Sequence, residues 1–242
     1  MSAPFLVMGA HGGVGESLAR LLAADGKPVV VTARNVADVD GLADDLNAKA
    51  MACDAMDPAS IQNAVAQADE GDGLAGLAYC IGSIDLMPLR AASQSAFVES
   101  FRLNAVGAAL SVKAAQKALA KQHGAVVLFS SVAASRGFAN HAVIAAAKGA
   151  VEGLTVSLAA ELAPKVRVNA IAPSLTRTKL ADTLLSSEAM AKAIAGLHPL
   201  QRLGEPQDLA ALAAFLLGPQ SGWITGQIIG VDGGRSALAS KG

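Results

Sequence analysis

Short apolar runs alternate with longer helical patterns along nearly the whole of this 242-residue chain. Several of the runs lack the polar alternation of a half-buried strand, which is typical of a parallel sheet with helices on both faces. We predict strands at Pro4–Met8, Pro28–Thr32, Ala50–Cys53, Gly76–Cys80, Ala125–Phe129, Val166–Ile171 and Gln227–Val231. We predict helices at Gly13–Asp25, Val36–Asn47, Pro58–Ala68, Gln94–Lys121, Val143–Leu162 and Pro206–Leu217. This alternation predicts an α/β fold with a doubly wound, seven-stranded parallel sheet and right-handed crossovers.

The composition predicts one domain over residues 1–242, because no linker, repeat or low-complexity tract divides the chain. Hydrophobic residues make up 52% of the chain and the net charge is −1. Such a balance gives no electrostatic attraction to nucleic acid or to an anionic membrane. The uncharged stretch 209–231 is interrupted by turn-forming residues at 218–222, which argues against a membrane span. The N-terminus shows no signal-peptide pattern, so we expect a soluble cytoplasmic protein.

The two cysteines, Cys53 and Cys80, indicate neither a disulfide framework nor a metal site. Their number suits a reducing compartment. We expect both to be small buried apolar residues, and we predict no bound metal.

A glycine-rich turn directly follows the first predicted strand and opens the first predicted helix. It reads Gly9-Ala10-His11-Gly12-Gly13-Val14-Gly15. Glycines allow the backbone to turn tightly and to approach a pyrophosphate, whose charge is met by the N–H groups at the helix start. The pattern therefore predicts a dinucleotide site that includes Gly9, His11, Gly13, Val14 and Gly15.

The end of the second predicted strand indicates which dinucleotide binds there. A carboxylate at this position would bond the adenosine ribose and repel a 2′-phosphate, but the chain has Ala33 followed by Arg34. The guanidinium of an arginine suits a phosphate. We therefore predict that Arg34 favours NADP(H) over NAD(H), with NAD(H) still possible.

The glycine spacing and a series of later segments resemble the short-chain dehydrogenase/reductase family. The turn has the spacing Gly-x-x-x-Gly-x-Gly, unlike the Gly-x-Gly-x-x-Gly of most dinucleotide folds. The later segments are Cys53-Asp54, Leu103-Asn104-Ala105-Val106-Gly107, Ser131, Lys148, Val168–Pro173 with Thr176 and Thr178, Pro199–Pro206 and Ile224–Gly234. They cover nearly the whole chain in the family's order. After the fourth predicted strand the chain departs from the family's Asn-Asn-Ala-Gly, since it reads Tyr79-Cys80-Ile81-Gly82 and keeps only the glycine.

The resemblance implies a Rossmann-type fold, a nicotinamide cofactor and a set of site residues. It implies that Ser131 holds the substrate oxygen, that Lys148 binds the nicotinamide ribose, and that Asn104 holds a water linked to the lysine. Further cofactor contacts are implied for Asp54, Ala55, Ile81, Gly82, Pro173, Thr176 and Thr178. It also implies a homotetramer, or else a homodimer, formed through the predicted helices 94–121 and 143–162.

One position departs from the family pattern at its centre. Ile144 stands thirteen residues after Ser131 and four before Lys148, where the resemblance leads us to expect the tyrosine that transfers a proton. The chain's only tyrosine is Tyr79. It precedes the end of the fourth predicted strand and does not lie on the Ser131 side. We therefore expect Tyr79 to brace that strand with its ring.

Three groups remain as substitute proton donors. His141 would share one helical face with Ile144 and Lys148 if the helix already includes position 141. Lys148 could act through the ribose hydroxyl, since a lysine beside a cofactor loses its proton more easily. A water held by Asn104 is the third possibility.

We expect an enzyme that transfers hydride between nicotinamide and a small, mostly apolar carbonyl or alcohol. The segment from about 174 to 200 is long, apolar and poor in charge, which is typical of a lid over a substrate. The alternative is a catalytically silent NADP(H)-binding module that acts as a redox sensor or a supporting subunit. We expect a small-molecule partner and no nucleic acid or membrane.

Overall fold

Seven parallel strands form one sheet in a computed structural model that describes residues 3–239. The termini of the predicted 1–242 domain, residues 1–2 and 240–242, lie outside the described residues. The strand order is β3-β2-β1-β4-β5-β6-β7. The strands are β1 Phe5–Met8, β2 Val29–Ala33, β3 Lys49–Ala52, β4 Gly76–Tyr79, β5 Ala125–Phe129, β6 Arg167–Pro173 and β7 Ile228–Val231. The predicted doubly wound sheet is confirmed.

Helices cover both faces of this sheet. They are α1 Gly13–Ala24, α2 Asp40–Leu46, α3 Pro58–Asp69, α4 Gln94–Phe101, α5 Gly107–Lys121, α6 Val132–Ser135, α7 Ala142–Leu162, α8 Glu188–Gly196 and α9 Pro206–Leu217. Residues of α3, α5 and α7 pack in one hydrophobic core, whereas residues of α1, α2 and α9 pack in a second. The buried strands face both cores, which explains why their sequences lack polar alternation.

Some element boundaries differ from the prediction, with a local cause in each case. The predicted helix 36–47 is a 3₁₀ turn, Val36–Asp38, followed by α2, since the Asn35 side chain caps the turn by accepting from Ala37 N. Strand β6 reaches Pro173, two residues beyond its predicted end, because Pro173 is still paired with β7. The segment 174–200 contains α8, which the prediction did not specify.

The long fourth predicted helix, 94–121, contains a π-helical segment. Arg102–Val106 joins α4 to α5 with the wider π hydrogen-bonding pattern, in which Gly107 N donates to Arg102 O. Such segments are rare and are often found at functional sites. Asn104 lies within it and is 1% exposed.

The register of two neighbouring strands determines which residues meet at the carboxyl edge of the sheet. Phe129 of β5 is opposite Ile171 of β6, and Ser130 N donates to Ile171 O at 2.8 Å. Continuing this register places Ser131 opposite Pro173. The ends of β5 and β6 therefore project side by side.

By length and composition, α7 is the one described helix that could cross a membrane. Here it packs against α4, α6 and β6, and its Lys148 side chain bonds a strand carbonyl. It is a core helix of this fold.

Candidate functional site

A cavity of about 380 Å³ opens at the carboxyl edge of the sheet. The glycine-rich turn, the ends of β4, β5 and β6, one face of α7 and the segment after β6 contribute to its walls. Most of the lining is apolar, and no Asp or Glu belongs to it within the described chain. A cavity of this size and position in an open α/β sheet is typical of a ligand site.

The glycine-rich turn is tight enough that side chains are excluded at two points. Gly9 has a φ of +81°, and a Cβ there would lie 2.7 Å from Ile81 Cγ1. A Cβ on Gly15 would lie 2.6 Å from Gly9 O. Helix α1 begins at Gly13, so its unpaired N–H groups face the cavity beside the turn. This cradle fits the pyrophosphate of a dinucleotide.

The predicted turn residues do not all reach the cavity. Gly13, Val14 and Gly15 line it. Gly9 is buried within the turn and does not belong to the lining, and the exposed His11 does not belong to it either.

Lys148 is a buried cation in the cavity wall. Its Nζ donates to Phe129 O at 2.8 Å, and the residue is 7% exposed. Burial lowers the pKa of its ammonium to about 8, although the negative charge of Asp85 partly opposes this shift. The group can therefore lose its proton far more easily than an exposed lysine.

Lys148 and Asn104 both lie beside Gly82. A Cβ at position 82 would lie 2.8 Å from Asn104 Oδ1 and 3.1 Å from Lys148 Nζ. A side chain there would therefore displace one or both of these polar groups. The sequence predictions for Gly82, Asn104 and Lys148 thus fall on one cluster.

Asn104 is held by a hydrogen-bond network that the sequence alone did not single out. Its Nδ2 donates to Ser100 O at 2.9 Å and to Ser83 Oγ at 3.0 Å. Ser83 Oγ in turn donates to Asp85 Oδ2 at 2.5 Å. The signal for Ser83 and Asp85 was weak, since they are two polar residues at a spacing of two, directly after Gly82.

Ser131 and Ile144 both line the cavity. Ser131 caps α6, where its Oγ accepts from Ala133 N at 3.1 Å. Its hydroxyl hydrogen is therefore available to a substrate oxygen. Ile144 is 4% exposed and presents only an alkyl group to the same cavity.

His141 lies at the N-cap of α7, so the helical face proposed for it does not form. The helix begins one residue later, at Ala142. The ring Nδ1 lies 2.7 Å from Ala139 O, and the ring packs beside Phe138 with a centroid separation of 5.3 Å. His141 nevertheless remains part of the cavity lining.

The segment after β6 contributes several residues to the cavity lining. Thr176 and Thr178 line it together with Pro173, and Thr178 Cγ2 lies within 3.4 Å of where a Gly13 Cβ would be. Further along, the apolar side chains of Leu180, Leu184, Met190 and Ile194 complete the lining.

Three residues predicted to contact the adenosine half lie outside this lining, at the ends of β2 and β3. Arg34 is exposed. Asp54 Oδ1 accepts from Met56 N at 2.9 Å, and Ala55 is buried beside Gly107. These three residues lie at the carboxyl edge of the sheet, outside the cavity.

A partly buried serine, Ser174, and a buried histidine, His198, form a pair beside a second cavity of about 310 Å³; both line this cavity, and Ser174 also lines the main one. Ser174 Oγ lies 2.8 Å from His198 Nε2, and His198 Nδ1 lies 2.9 Å from Ile194 O. His198 is 1% exposed. The sequence prediction missed this pair, because its members are 24 residues apart and neither belongs to a recognisable motif.

Tyr79 and Cys53 belong to a hydrophobic core, and Cys80 packs against the other core. Tyr79 is 2% exposed and its hydroxyl donates to Leu103 O at 2.6 Å, while burial raises its pKa. Cys53 is buried, which raises the pKa of its thiol to about 11, and Cys80 is partly buried. Within residues 3–239, no group of three or more His, Cys, Asp or Glu side chains has an arrangement suited to a metal.

Comparison with known proteins identifies the family. A family profile described as enoyl-(acyl carrier protein) reductase matches residues 9–236. Carbonyl reductase family member 4 from Danio rerio is 34% identical over 98% of this chain and 100% of that protein. A 3-oxoacyl-[acyl-carrier-protein] reductase from Bos taurus is 32% identical over 94% of this chain and 95% of that protein.

Solved structures agree with this result. A short-chain type dehydrogenase/reductase from Mycobacterium ulcerans superimposes with a TM-score of 0.91 at 30% identity, over 98% of this chain and 90% of that chain. The aldohexose dehydrogenase of Thermoplasma acidophilum gives a TM-score of 0.91 at 26% identity, over 100% of this chain and 96% of that chain. The chain therefore belongs to the short-chain dehydrogenase/reductase family.

Proposed function

We propose that this chain transfers hydride between NADP(H) and a small, mostly apolar carbonyl or alcohol, with a proton donor other than tyrosine. Its family makes it an NAD(P)-dependent oxidoreductase. The preference for NADP(H), the substrate class and the replacement of the family's tyrosine by Ile144 are the parts that we add.

One observation carries the proposal: the pyrophosphate cradle, Ser131 and Lys148 line the same cavity. A cofactor anchored at α1 would extend past Gly82 toward the end of β5. Its reactive end and the substrate would then share a water-poor chamber, in which positioning and electrostatic stabilisation are most effective.

The roles proposed for the cofactor-binding residues follow their positions. The turn Gly9–Gly15, including His11, Gly13 and Val14, holds the pyrophosphate. Lys148 bonds the nicotinamide ribose, and Ile81 and Gly82 border it. Pro173, Thr176 and Thr178 cover the nicotinamide, whereas Asp54 and Ala55 border the adenine. When bound, the cofactor supplies or accepts the hydride.

We assign Arg34 to the 2′-phosphate. It is exposed at the carboxyl end of β2, and its guanidinium can bond two phosphate oxygens. The preceding Ala33 is 1% exposed and offers no carboxylate to a ribose hydroxyl.

On the substrate side, Ser131 holds the oxygen and Asn104 positions Lys148 through the cluster around Gly82. The apolar side chains contributed by the segment 174–200 favour an apolar substrate, and we propose that this segment is the lid. Relatives named carbonyl reductase and 3-oxoacyl-[acyl-carrier-protein] reductase support a carbonyl as the reacting group.

The proton donor is the open part of this reaction. A buried alkyl group at Ile144 supplies no proton, so we consider His141, Lys148 acting through the ribose hydroxyl, and a water held by Asn104. His141 is at the cavity wall but its Nδ1 is already bonded to Ala139 O. Loss of a general acid costs about 10²- to 10⁴-fold in rate, which leaves room for slow turnover without a direct substitute.

Ile144 also favours the alternative function, a silent NADP(H)-binding module that serves as a redox sensor or a supporting subunit. Lys148 would then serve binding alone. Such a module would bind NADPH, but it would consume none with any carbonyl.

The test combines binding and turnover. Nucleotide fluorescence measures NADPH binding, and absorbance follows NADPH consumption with 2-octanone, 1,4-naphthoquinone, an imine and acetoacetyl-coenzyme A. We expect turnover with at least one of these compounds, and we expect Ser131→Ala and Lys148→Ala to abolish it. Binding without any turnover would support the silent module. Turnover that survives Lys148→Ala would refute the site assignment.

For the assembly, we propose a homotetramer, or else a homodimer, formed through α4 and α7. Val98 and Phe101 of α4 and Val156 of α7 are exposed apolar side chains on helices that pack together. A cytoplasmic location accords with the reduced cysteines Cys53 and Cys80.

A further inference from the structure

We infer that Ser174 donates the proton to the substrate oxygen, with His198 as its proton source, in the role that Ile144 cannot fill. This inference rests on the proposed hydride transfer and names its missing acid. It concerns two side chains that meet at the wall between the two cavities.

The position of Ser174 follows from the sheet register. Ser131 at the end of β5 lies opposite Pro173 at the end of β6, since Phe129 is paired with Ile171. Neighbouring strands are about 4.8 Å apart. Ser174 directly follows Pro173, so it lies one residue beyond the position opposite Ser131. Both serines line the main cavity, together with Ile144 and Lys148. A substrate oxygen held by Ser131 is therefore near the segment that carries Ser174.

The hydrogen bonds of His198 define how it can act on Ser174. Its Nδ1 faces the carbonyl oxygen of Ile194, which only accepts, so Nδ1 carries a hydrogen. In the neutral ring, Nε2 then accepts from Ser174 Oγ. In the protonated ring, Nε2 donates to Ser174 Oγ, and the serine hydrogen is released toward the main cavity. The pair thus has two arrangements, one of which presents a proton to the substrate.

Charged side chains line the second cavity together with His198. Asp232, in the loop after β7, accepts from Gly234 N and Ser236 N at 2.8 Å each. Arg202 and Asp208 form a bidentate ion pair with N–O distances of 2.6 and 2.9 Å. Two carboxylates and one guanidinium therefore border the space beside His198.

Ser131 lacks such a proton source. Its Oγ accepts from Ala133 N, and the described chain places no imidazole, ammonium or carboxyl group in a hydrogen bond to it. Ser131 can orient the oxygen, whereas Ser174 has an acid behind it.

The carbonyl carbon receives the hydride pair that the bound cofactor supplies, and the carbonyl oxygen forms a bond to the hydrogen released from Ser174 Oγ. Ser174 Oγ takes a proton from His198 Nε2 at the same time. The neutral imidazole regains a proton from solvent in the second cavity. In the oxidation direction each transfer is reversed.

The experiment must separate a proton donor from a structural link, since the same bond also ties β6 to the end of α8. The variants are Ser174→Ala and His198→Asn, each made alone and together with Ile144→Tyr. The matched control is His123→Asn, because His123 is exposed in the turn after α5 and far in sequence from both cavities. NADPH is the cofactor, and the probes are 2-octanone and acetoacetyl-coenzyme A.

We expect Ser174→Ala and His198→Asn to lower turnover by about 10²- to 10⁴-fold, the effect of removing a general acid. NADPH affinity, measured by nucleotide fluorescence, should stay within about twofold of the wild type for both variants and for His123→Asn. Adding Ile144→Tyr to either variant should raise its turnover at least about tenfold, since a phenol then supplies the proton. A structural link would not be restored by a change at position 144.

Two results would overturn the inference: full turnover in Ser174→Ala, or a double variant as slow as Ser174→Ala. Either leaves the proposed function standing. A wild type that consumes no NADPH refutes the proposed function and this inference together. If His198→Asn does not fold, the turnover of Ser174→Ala alone tests the inference, because this variant removes only a single oxygen atom.

A second readout is independent of turnover. In protein labelled with ¹⁵N at histidine, the Nε2 resonance of His198 should shift in Ser174→Ala and stay in place in Ser187→Ala, which lies at the N-cap of α8. No shift in Ser174→Ala would contradict the pair itself.

Discussion

Lys148 shows how one buried residue couples the fold to the site. Its ammonium donates to the carbonyl of Phe129, and it lies beside Gly82, as the side chain of Asn104 does. The lysine belongs to α7, Phe129 to β5, Asn104 to the π-helical segment and Gly82 to the loop after β4. A change in the charge of Lys148 therefore affects the stability of the protein, which can be measured without any substrate.

The stability of the cofactor-free protein should rise with pH because of Lys148. The pKa of its ammonium is about 8 in the folded chain and 10.5 in an unfolded chain. Between these values the unfolded chain binds more protons, so the free energy of unfolding increases with pH. Between about pH 7 and pH 10.5, the free energy of unfolding of the wild type should increase by on the order of 3 kcal/mol relative to that of Lys148→Met. Urea unfolding at several pH values measures this.

Asp85 provides the control for that experiment. Its negative charge opposes the lowering of the lysine pKa. In Asp85→Asn the pKa of Lys148 should fall further, and the rise in stability should begin at a lower pH. A stability difference between wild type and Lys148→Met that does not vary with pH would contradict the buried-cation description.

Arg34 should determine the choice between the two nicotinamide dinucleotides. Arg34→Asp removes a phosphate partner and adds a carboxylate that repels the 2′-phosphate. We expect the ratio of NADPH to NADH affinity to fall by about 10- to 100-fold. Fluorescence titration measures both affinities, with Arg90→Asp as a control at another exposed arginine. An unchanged ratio would exclude Arg34 from the 2′-phosphate site.

Residues that occur in contiguous motifs could be predicted from the sequence, and residues that act across the fold could not. Gly13, Ser131 and Lys148 stand in or next to recognisable segments, and they do line the cavity. Ser83 and His198 acquire their roles only through partners 21 and 24 residues away. His141 shows a further limit, since a start of α7 one residue later removes the expected helical face.

At the scale of elements, the π-helical segment Arg102–Val106 links the fourth strand to the site. The hydroxyl of Tyr79 in β4 donates to Leu103 O, and Asn104 turns inward beside it. Gly107, the first residue of α5, lets the Tyr79 ring approach the helix, because a Cβ there would overlap the hydroxyl. The ring thus braces the segment that carries Asn104.

Gly107→Ala should destabilise the fold by about 1–3 kcal/mol, as overpacking does. Tyr79→Phe should cost about 1 kcal/mol through its lost hydrogen bond. The double variant should cost less than the sum of the two single variants, since removing the hydroxyl makes room for the added methyl group. Urea unfolding provides the free energies. Additive costs would show that Gly107 is not constrained by Tyr79.

The strands were more predictable than the helices between them. All seven predicted strands occur. The five inner strands, β1, β2, β4, β5 and β6, are buried and have the apolar composition of parallel strands that are covered on both faces. The π-helical segment and α8 were not foreseen, since the first depends on side chains from β4 and the second on packing over the cavity. Local sequence does not encode such tertiary contacts.

At the scale of the whole molecule, two hydrophobic cores lie on the faces of the sheet, and the candidate site lies at its carboxyl edge. On the outside of α4 and α7, the apolar side chains of Phe101 and Val156 are 46% and 52% exposed. Exposed apolar patches of this kind commonly mark protein interfaces. This is the face that we propose for assembly.

A charge on that face should prevent assembly. We expect the wild type to elute as a tetramer or dimer in size-exclusion chromatography with light scattering, and Phe101→Glu to elute as a smaller species. Leu21→Glu is the control, because Leu21 is 38% exposed on α1 and away from the proposed face. A monomeric wild type, or an unchanged mass for Phe101→Glu, would refute the proposed interface.

We propose that the cavity transfers hydride with Ile144 at the position where the family pattern leads us to expect a tyrosine. The most direct measurement uses NADPH carrying deuterium at the transferable position of nicotinamide C4, with 2-octanone or acetoacetyl-coenzyme A as acceptor. Mass spectrometry of the product then reports the label. We predict one deuterium on the carbinol carbon with the wild type, and none with Lys148→Ala. Bound NADPH with no labelled product from either acceptor would contradict the claim.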